Sequence, residues 1–342
     1  MTQKNIKKEK NQFIYKFEKE DVNKKLGKIF GPRFQKYRED FDKTQRYMET
    51  NFIPDFPLMI SMEFVNRCNL NCVMCYKEHH FKPKAELSLE VIDKVLEESK
   101  KHEMPSITLG LGSEILLFKD MNKVIEMVAE AGIMDVFFAT NAALLNDKII
   151  KSLVDNKISR FRVSIDAATE ETYNKVRRVP VLKNVEANIN KLIDYRNKTK
   201  SLLPVVRLSY VIMDINKHET EQFINKWKDK VDYIDFQRYM DLGHVDNLKK
   251  LDDNEKEVIK NSFCSQPFYS LNIWANGDVS PCCTFYGKKL LLGNVYKDKL
   301  EDIWRGEKIK KLREEIKNKK FNSICQNCLY YRDRQIVDEQ FE

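Results

Sequence analysis

Apolar, β-branched runs recur through the middle of the chain and alternate with stretches of helical period. The runs are PLMISMEFV (57–65), SITLGL (106–111), MDVFFAT (134–140), SRFRVSI (159–165), VVRLSYVIM (205–213) and YIDFQRYM (233–240). Short apolar runs of this kind, bounded by polar turns, predict strands. Between the first two, SLEVIDKVLEESKK puts Val91, Ile92, Val95 and Leu96 on one helical face, with Ser88 placed to cap the helix. DMNKVIEMVAEAG, NDKIIKSLVDN, VLKNVEANINKLIDY and ETEQFINKWKDK show the same period. Six strands alternating with helices predict an α/β protein whose parallel sheet is curved into a partial (β/α)6 barrel. In such folds ligands bind at the carboxyl ends of the strands.

The flanks read differently. Residues 1–56 hold Phe13, Tyr15, Phe17, Phe30, Phe34 and Tyr37 among many charges, which predicts a docked helical extension. Strand alternation is not evident there, which argues against a module that binds a leader peptide. In the back third, FYSLNIWANGDVSPC centres on Asn276-Gly277, the preferred pair for a two-residue hairpin turn. An amphipathic helix and the closing SICQNCLYY follow. The resulting division is a helical extension (1–56), a barrel (57–250) and a small C-terminal domain (251–342).

Composition narrows the class. Apolar residues make up 42% of the 342, enough for a sizeable core, and no apolar run approaches the ~18 residues of a membrane span. MTQKNIKKEKNQF lacks the apolar stretch of a secretory signal, so a cytoplasmic location without a membrane partner is expected. Net charge is +8, and residues 1–50 hold fourteen Lys and Arg against eight Asp and Glu. The excess is a Lys-rich start and not a basic folded face, so no nucleic-acid partner is expected.

The eight cysteines then carry the chemistry. Cys68, Cys72 and Cys75 form a CxxxCxxC triplet directly after the first strand; Cys264, Cys282, Cys283, Cys325 and Cys328 lie near the end. Grouped cysteines in a chain without a secretory signal point to metal ligation rather than disulfides. Three local thiolates leave one iron of a [4Fe–4S] cluster open to an external ligand. A zinc site would need a fourth ligand, for which only His79 and His80 stand nearby. At the rear, Cys264, Cys282, Cys325 and Cys328 suit a four-thiolate centre, and spacing alone leaves zinc and iron–sulfur both open.

Small and polar residues recur at the other strand ends: Gly112, Ser113 and Glu114; Thr140 and Asn141; Ser164 and Asp166; then Arg177 on the following helix. Singly, each reads as an ordinary cap or solvated side chain. Together with the triplet and Tyr76, they resemble the radical S-adenosylmethionine (radical SAM) superfamily over residues 57–240. GSE at 112–114 resembles the GGE-type motif of that family, the Asn141 stretch its TNG motif, and VSID at 163–166 its ribose-contacting strand. Ser113, Ile115 and Ala142 depart from the usual Gly, Pro and Gly. The resemblance implies that SAM's amine and carboxylate chelate the open iron. One-electron cleavage then yields methionine and a 5′-deoxyadenosyl radical that abstracts hydrogen from substrate. It further implies that Glu114 accepts from the SAM amine, that Ser164 and Asp166 hold the ribose, and that Arg177 meets the carboxylate. Tyr76, Gly112, Ser113 and Asn141 complete the cofactor-binding set.

Cys264, Gly277 and Cys282, Leu292-Gly293-Asn294, Ile303-Trp304 and the terminal CxxC resemble the SPASM/twitch extension of these enzymes. That resemblance implies one auxiliary [4Fe–4S] cluster on Cys264, Cys282, Cys325 and Cys328. Cys283 is left over, either as a bystander, an alternate ligand or a hydrogen-atom donor. The expected activity is that of a radical SAM oxidoreductase or epimerase on a small polar molecule, a sugar or aminocyclitol, by oxidation, epimerisation or dehydration. A flavodoxin- or ferredoxin-type protein would supply electrons. A maturase of a ribosomal peptide, or a non-catalytic iron–sulfur or zinc protein, is the alternative. Position at late strand ends nominates Tyr210, Gln237, Tyr239 and Asp241 for the substrate side.

Overall fold

The computed structural model describes residues 6–7, 13–76, 84–239, 245 and 247–338. One sheet of eleven strands runs through it: β1 (Ile6–Lys7), β2 (Phe13–Glu18), β3 (Met59–Met62), β4 (Ser106–Leu109), β5 (Asp135–Thr140), β6 (Arg160–Ser164), β7 (Val205–Ile212), β8 (Tyr233–Arg238), β9 (Ser270–Ile273), β10 (Asp278–Ser280) and β11 (Gly293–Asn294). Their order is β1-β2-β8-β7-β6-β5-β4-β3-β9-β10-β11, so the sheet is an open arc and not a closed barrel. The six apolar runs form β3 to β8, all parallel. The helices fall where the period put them, with the Ser88 hydroxyl accepting from the Val91 N–H at 3.3 Å.

Alternation along the strands separates two faces. Ile107, Leu109, Val136, Phe138, Phe161, Val163, Leu208 and Phe236 join Val91, Val95, Val124, Ile125 and Leu192 of the helices in the main core. Burying these against helices is the chief stabilising contribution, at about 25 cal/mol per Å² of apolar surface. The intervening residues face inward and are largely polar.

Two expectations need correction. The N-terminal segment is not wholly helical: β2 pairs antiparallel with β8, from Phe13↔Gln237 to Glu18↔Tyr233. FIYKFE alternates apolar and charged residues only over its last four positions, and so short a strand becomes legible only beside the strand it pairs with. The helices Val22–Phe30 and Pro32–Gln45 follow, and Leu26, Phe34 and Tyr37 pack on Leu58, Leu203, Val205 and Tyr233 at the amino ends of the strands. That end is covered, and the carboxyl ends are left for chemistry. The hairpin turn is the second correction. Ala275, Asn276 and Gly277 form a three-residue loop, because Trp274 donates to the Asp278 carbonyl and Gly277 takes the left-handed position at φ 84°.

The C-terminal portion is stitched into the barrel. β9 pairs parallel with β3, Ser61 opposite Asn272, so the hairpin extends the same sheet.

Candidate functional site

The triplet lies on the loop that leaves β3, and the loop is pinned at several points. Asn66 and Ala85 exchange hydrogen bonds (3.1 and 2.7 Å), Asn71 and Val73 donate to the carbonyls of Arg177 and Val176, and Cys75 donates to the Cys72 carbonyl. The loop thus sits on the C-terminal end of the helix Glu170–Arg177. Arg177 donates from Nη1 to Cys72 Sγ at 3.3 Å, and the Leu70 N–H points at Cys68 Sγ at 3.4 Å. A guanidinium and an amide beside sulfur are the kind of groups that support a ligating sulfur. The donors are soft and half-buried, which suits iron–sulfur ligation.

The strand-end motifs lock this loop to the barrel. Glu114 is buried; its carboxylate accepts from the Leu116 N–H (3.0 Å), the Thr140 hydroxyl (2.6 Å) and the Asn141 N–H (2.8 Å). Burial pushes its pKa up, and these donors oppose the shift. With three of about four acceptor positions used, one remains for a ligand amine. Asn141 reaches across to Asn69 (2.8 Å) in the triplet loop. The departure at Ala142 has a visible consequence: its φ is 59°, the left-handed region that disfavours a Cβ by roughly 1 kcal/mol. Gly110, which the motif reading overlooked, holds φ 101°, and a Cβ there would lie 2.5 Å from the Ala139 carbonyl oxygen.

Asp166 does not stand free for a ribose. It is buried, accepts from the Val211 N–H at 2.7 Å and pairs with Arg177. Arg177 in turn is held cationic by Asp166 and Cys72 despite its burial. Asp166 is thus the ion-pair partner of Arg177, and it stands in the left-handed region at φ 60°. Ser164 is half-buried on the inner face, and Ser113 is half-buried beside Gly112. Tyr76 is buried against Phe285 with ring centroids 4.4 Å apart, which joins the triplet loop to the C-terminal portion.

At the rear, Cys264 precedes the short helix Gln266–Tyr269, Cys282 follows β10, and Cys325 and Cys328 lie in the first turns of the helix Ser323–Asp338. Burial and the other cysteines push the thiols of Cys325 and Cys328 up to about 12 and raise that of Cys282, while burial raises that of Cys264. Sulfur in such surroundings stays protonated unless a metal displaces the proton. Three supports were missed in the sequence. Asn322 donates to Cys325 Sγ (3.5 Å) and caps its helix, Thr284 lies 3.4 Å from Cys282 Sγ, and a Cβ on Gly287 would come within 2.4 Å of that sulfur. The N-cap spacing of Asn322 before Cys325 was the readable signal. Among the described residues no three His, Cys, Asp or Glu side chains meet as the ligands of one ion do. A cubane takes its thiolates from farther apart than a single zinc ion. None of the eight cysteines is in a disulfide, and Cys283 is exposed. His79 and His80 lie outside the described residues.

On the substrate side Tyr210 is corrected. It faces the helices, fully buried against Phe223 and Phe236, with its hydroxyl donating to the Asn216 carbonyl at 2.7 Å. Its position in β7 has the parity of Leu208, which packs outward. Gln237 does face inward and donates to Asp235 at 2.7 Å, Tyr239 is exposed, and Asp241 lies outside the described residues. Sequence reading missed Glu63. It is 1% exposed, accepts from the Ala275 N–H at 3.1 Å and lies 4.0 Å from Lys288 Nζ, which itself sits over the Trp274 ring. Burial drives its carboxyl up to about 7, against the pull of Lys288 and the Ala275 amide. No helix among the described residues is long and apolar enough to cross a membrane.

Comparison with known proteins agrees with this geometry. Residues 62–226 match the model of the radical SAM superfamily, and residues 264–329 match that of an iron–sulfur cluster-binding domain, SPASM. A GTP 3′,8-cyclase of Thermodesulfovibrio yellowstonii is 32% identical over 59% of this chain and 63% of its own length. A tungsten-containing aldehyde ferredoxin oxidoreductase cofactor-modifying protein of Pyrococcus furiosus is 23% identical over 78% of this chain and 86% of its own. The chain spans about half to three-fifths of the length of the cyclases it matches. Among solved structures, anSMEcpe with bound AdoMet aligns at a TM-score of 0.59 and 16% identity, covering 83% of this chain and 92% of that one. BtrN in complex with AdoMet and 2-DOIA aligns at 0.52 and 18%, covering 81% and 94%. SuiB of Streptococcus suis bound to precursor peptide SuiA aligns at 0.56 and 17%, covering 88% and 75%.

Proposed function

The chain belongs to the radical SAM superfamily and carries a C-terminal iron–sulfur cluster-binding domain, and from that premise we propose that it takes hydrogen from a small polar molecule held on the inner face of its barrel. Its cofactors are SAM, a [4Fe–4S] cluster and auxiliary iron–sulfur in the C-terminal domain. When bound, they supply a primary carbon radical able to attack an unactivated C–H bond. The chain's own residues hold and orient. Cys68, Cys72 and Cys75 ligate the first cluster, Arg177 neutralises the sulfur beside it, and the remaining acceptor position of Glu114 takes the SAM amine. Tyr76, Gly112, Ser113, Asn141 and Ser164 shape the rest of that pocket. Cys264, Cys282, Cys325 and Cys328 ligate one auxiliary cluster with no open iron.

The observation that carries this reading is the seat of the triplet loop, at the carboxyl end of β3 with Arg177 against Cys72 and Asn141 bound to Asn69. A sugar or aminocyclitol fits an inner face lined by Glu63, Asn272, Ser209, Asp235 and Gln237, and BtrN, of like fold, was solved with 2-DOIA. For oxidation, Cys264, Cys282, Cys325 and Cys328 would hold a cluster that supplies an electron acceptor; for epimerisation, Cys283 would give a hydrogen atom and its thiyl would regain an electron from the reducing protein and a proton from water. A flavodoxin- or ferredoxin-type protein of the cytoplasm is the electron source we infer. Anaerobic reconstitution should give about eight irons per chain and, with dithionite and SAM, release 5′-deoxyadenosine. A protein with full iron that releases none would refute the reaction.

A peptide substrate is the second reading. Lack of strand character in the N-terminal segment argued against it, and β2 on the β8 edge removes that argument. Sheet edges are a recurrent place for peptides to dock.

A further inference from the structure

Most of the cations along the inner face of the barrel meet a carboxylate. Arg160 pairs with Asp135 (2.7 Å), Arg207 with Asp235, Arg177 with Asp166, and Lys288 stands 4.0 Å from Glu63. Arg162 on β6 is the exception. Among the described residues no carboxylate lies within ion-pair distance of it, and its buried Nε has no acceptor. Its partner in register on β7 is Arg207, a like charge. Asp235, the nearest balancing group, already accepts from Arg207, Ser209 (2.8 Å) and Gln237 (2.7 Å). A buried cation left so is costly unless an anion arrives to meet it.

The register also leaves room for that anion. Arg162 stands opposite Ala139, Gly110 lies against Ala139, and the Gly110 N–H donates to the carbonyl of Met62, next to Glu63. Two small residues therefore separate the Arg162 and Glu63 walls. Opposite Ser61 on the neighbouring strand, Asn272 is 1% exposed, and among the described residues neither its amide oxygen nor its nitrogen has a partner, nor has Glu63 Oε1. Resting on the reading that substrate reacts on this inner face, we propose that Arg162 forms an anion-binding subsite for a carboxylate or phosphate of the substrate, with Asn272 and Glu63 left for its hydroxyls. The substrate class is thereby an acidic or phosphorylated polyol.

Calorimetry on the reconstituted enzyme with SAM, using glucose, glucuronate and glucose 6-phosphate, tests this. One anionic sugar should bind at least about tenfold more tightly than glucose, and which one tells carboxylate from phosphate. Arg162→Met should abolish the preference and Arg162→Lys keep part of it. Because Arg162→Met exchanges an unbalanced charge for an apolar chain, it should melt at or above the wild-type temperature. Equal binding of all three sugars, a preference that survives in Arg162→Met, or a lower melting temperature overturns the subsite. Release of 5′-deoxyadenosine by wild type, measured in parallel, separates the two ideas. Its absence refutes the reaction, while its presence with equal sugar binding refutes the subsite alone.

Discussion

The two sulfur sets are built on opposite principles. The front triplet sits on an irregular loop among donors and charge: Arg177 at Cys72, the Leu70 amide at Cys68, Asn141 alongside. The rear four are spread over a loop, the end of the hairpin and one helix, and Cys264 and Cys325 border a core of Phe268, Phe321, Leu329 and Tyr330. Cys325 and Cys328 are pushed up to about 12 by that burial and by Cys264. A polar, three-sulfur seat invites a fourth, exchangeable ligand. An apolar, four-sulfur cage closes on what it holds.

That contrast can be broken most directly at the sulfurs. Cys72→Ala should lower iron by about half and remove 5′-deoxyadenosine release entirely, whereas Cys328→Ser should lower iron similarly and leave basal SAM cleavage within about tenfold of wild type. Equal loss in both variants would mean that the sets are not functionally separate. Arg177→Met comes next. It leaves Asp166, buried and otherwise accepting only from Val211 among the described residues, without its cation, at a cost of roughly 3–5 kcal/mol in urea unfolding. A smaller cost would show that the front loop does not depend on that pair.

The seam between the regions gives the smallest effect. Glu63, bound by the Ala275 amide of the hairpin, has its carboxyl raised to about 7, above its ordinary value of 4.5. The folded state therefore keeps a proton that the unfolded chain releases. Its contribution to stability is complete below about pH 4 and is lost as pH rises through about 7, amounting to at most about 3 kcal/mol. Glu63→Gln should flatten that fall when melting is compared from pH 5.5 to 8. Parallel curves for the two proteins would place Glu63 in a wetter setting.

Local pattern made much of this molecule legible. PLMISMEFV and its five successors became β3 to β8 because each carries its own apolar alternation, and Ser88 capped its helix because the cap is a contact three residues long. FIYKFE was misread because an edge strand has meaning only against β8. Tyr210 was misplaced because a tyrosine suits either face, and parity with Leu208 decides which. Glu63 and Arg162 gave no signal at all, since a charged residue in a strand looks the same whether or not its partner exists.

The sequence alone determined the spacing of the triplet, the order of strands and helices, and the grouping of thiols at the two ends, since all depend on neighbours a few residues apart. Tertiary structure decided the rest. It turned Asp166 toward Arg177, set Asn141 on Asn69, joined β9 to β3, and left Arg162 without a carboxylate among the described residues. Each of those outcomes rests on groups distant in the chain meeting in a medium of low dielectric, where a pair or its absence costs kilocalories and no local pattern records it.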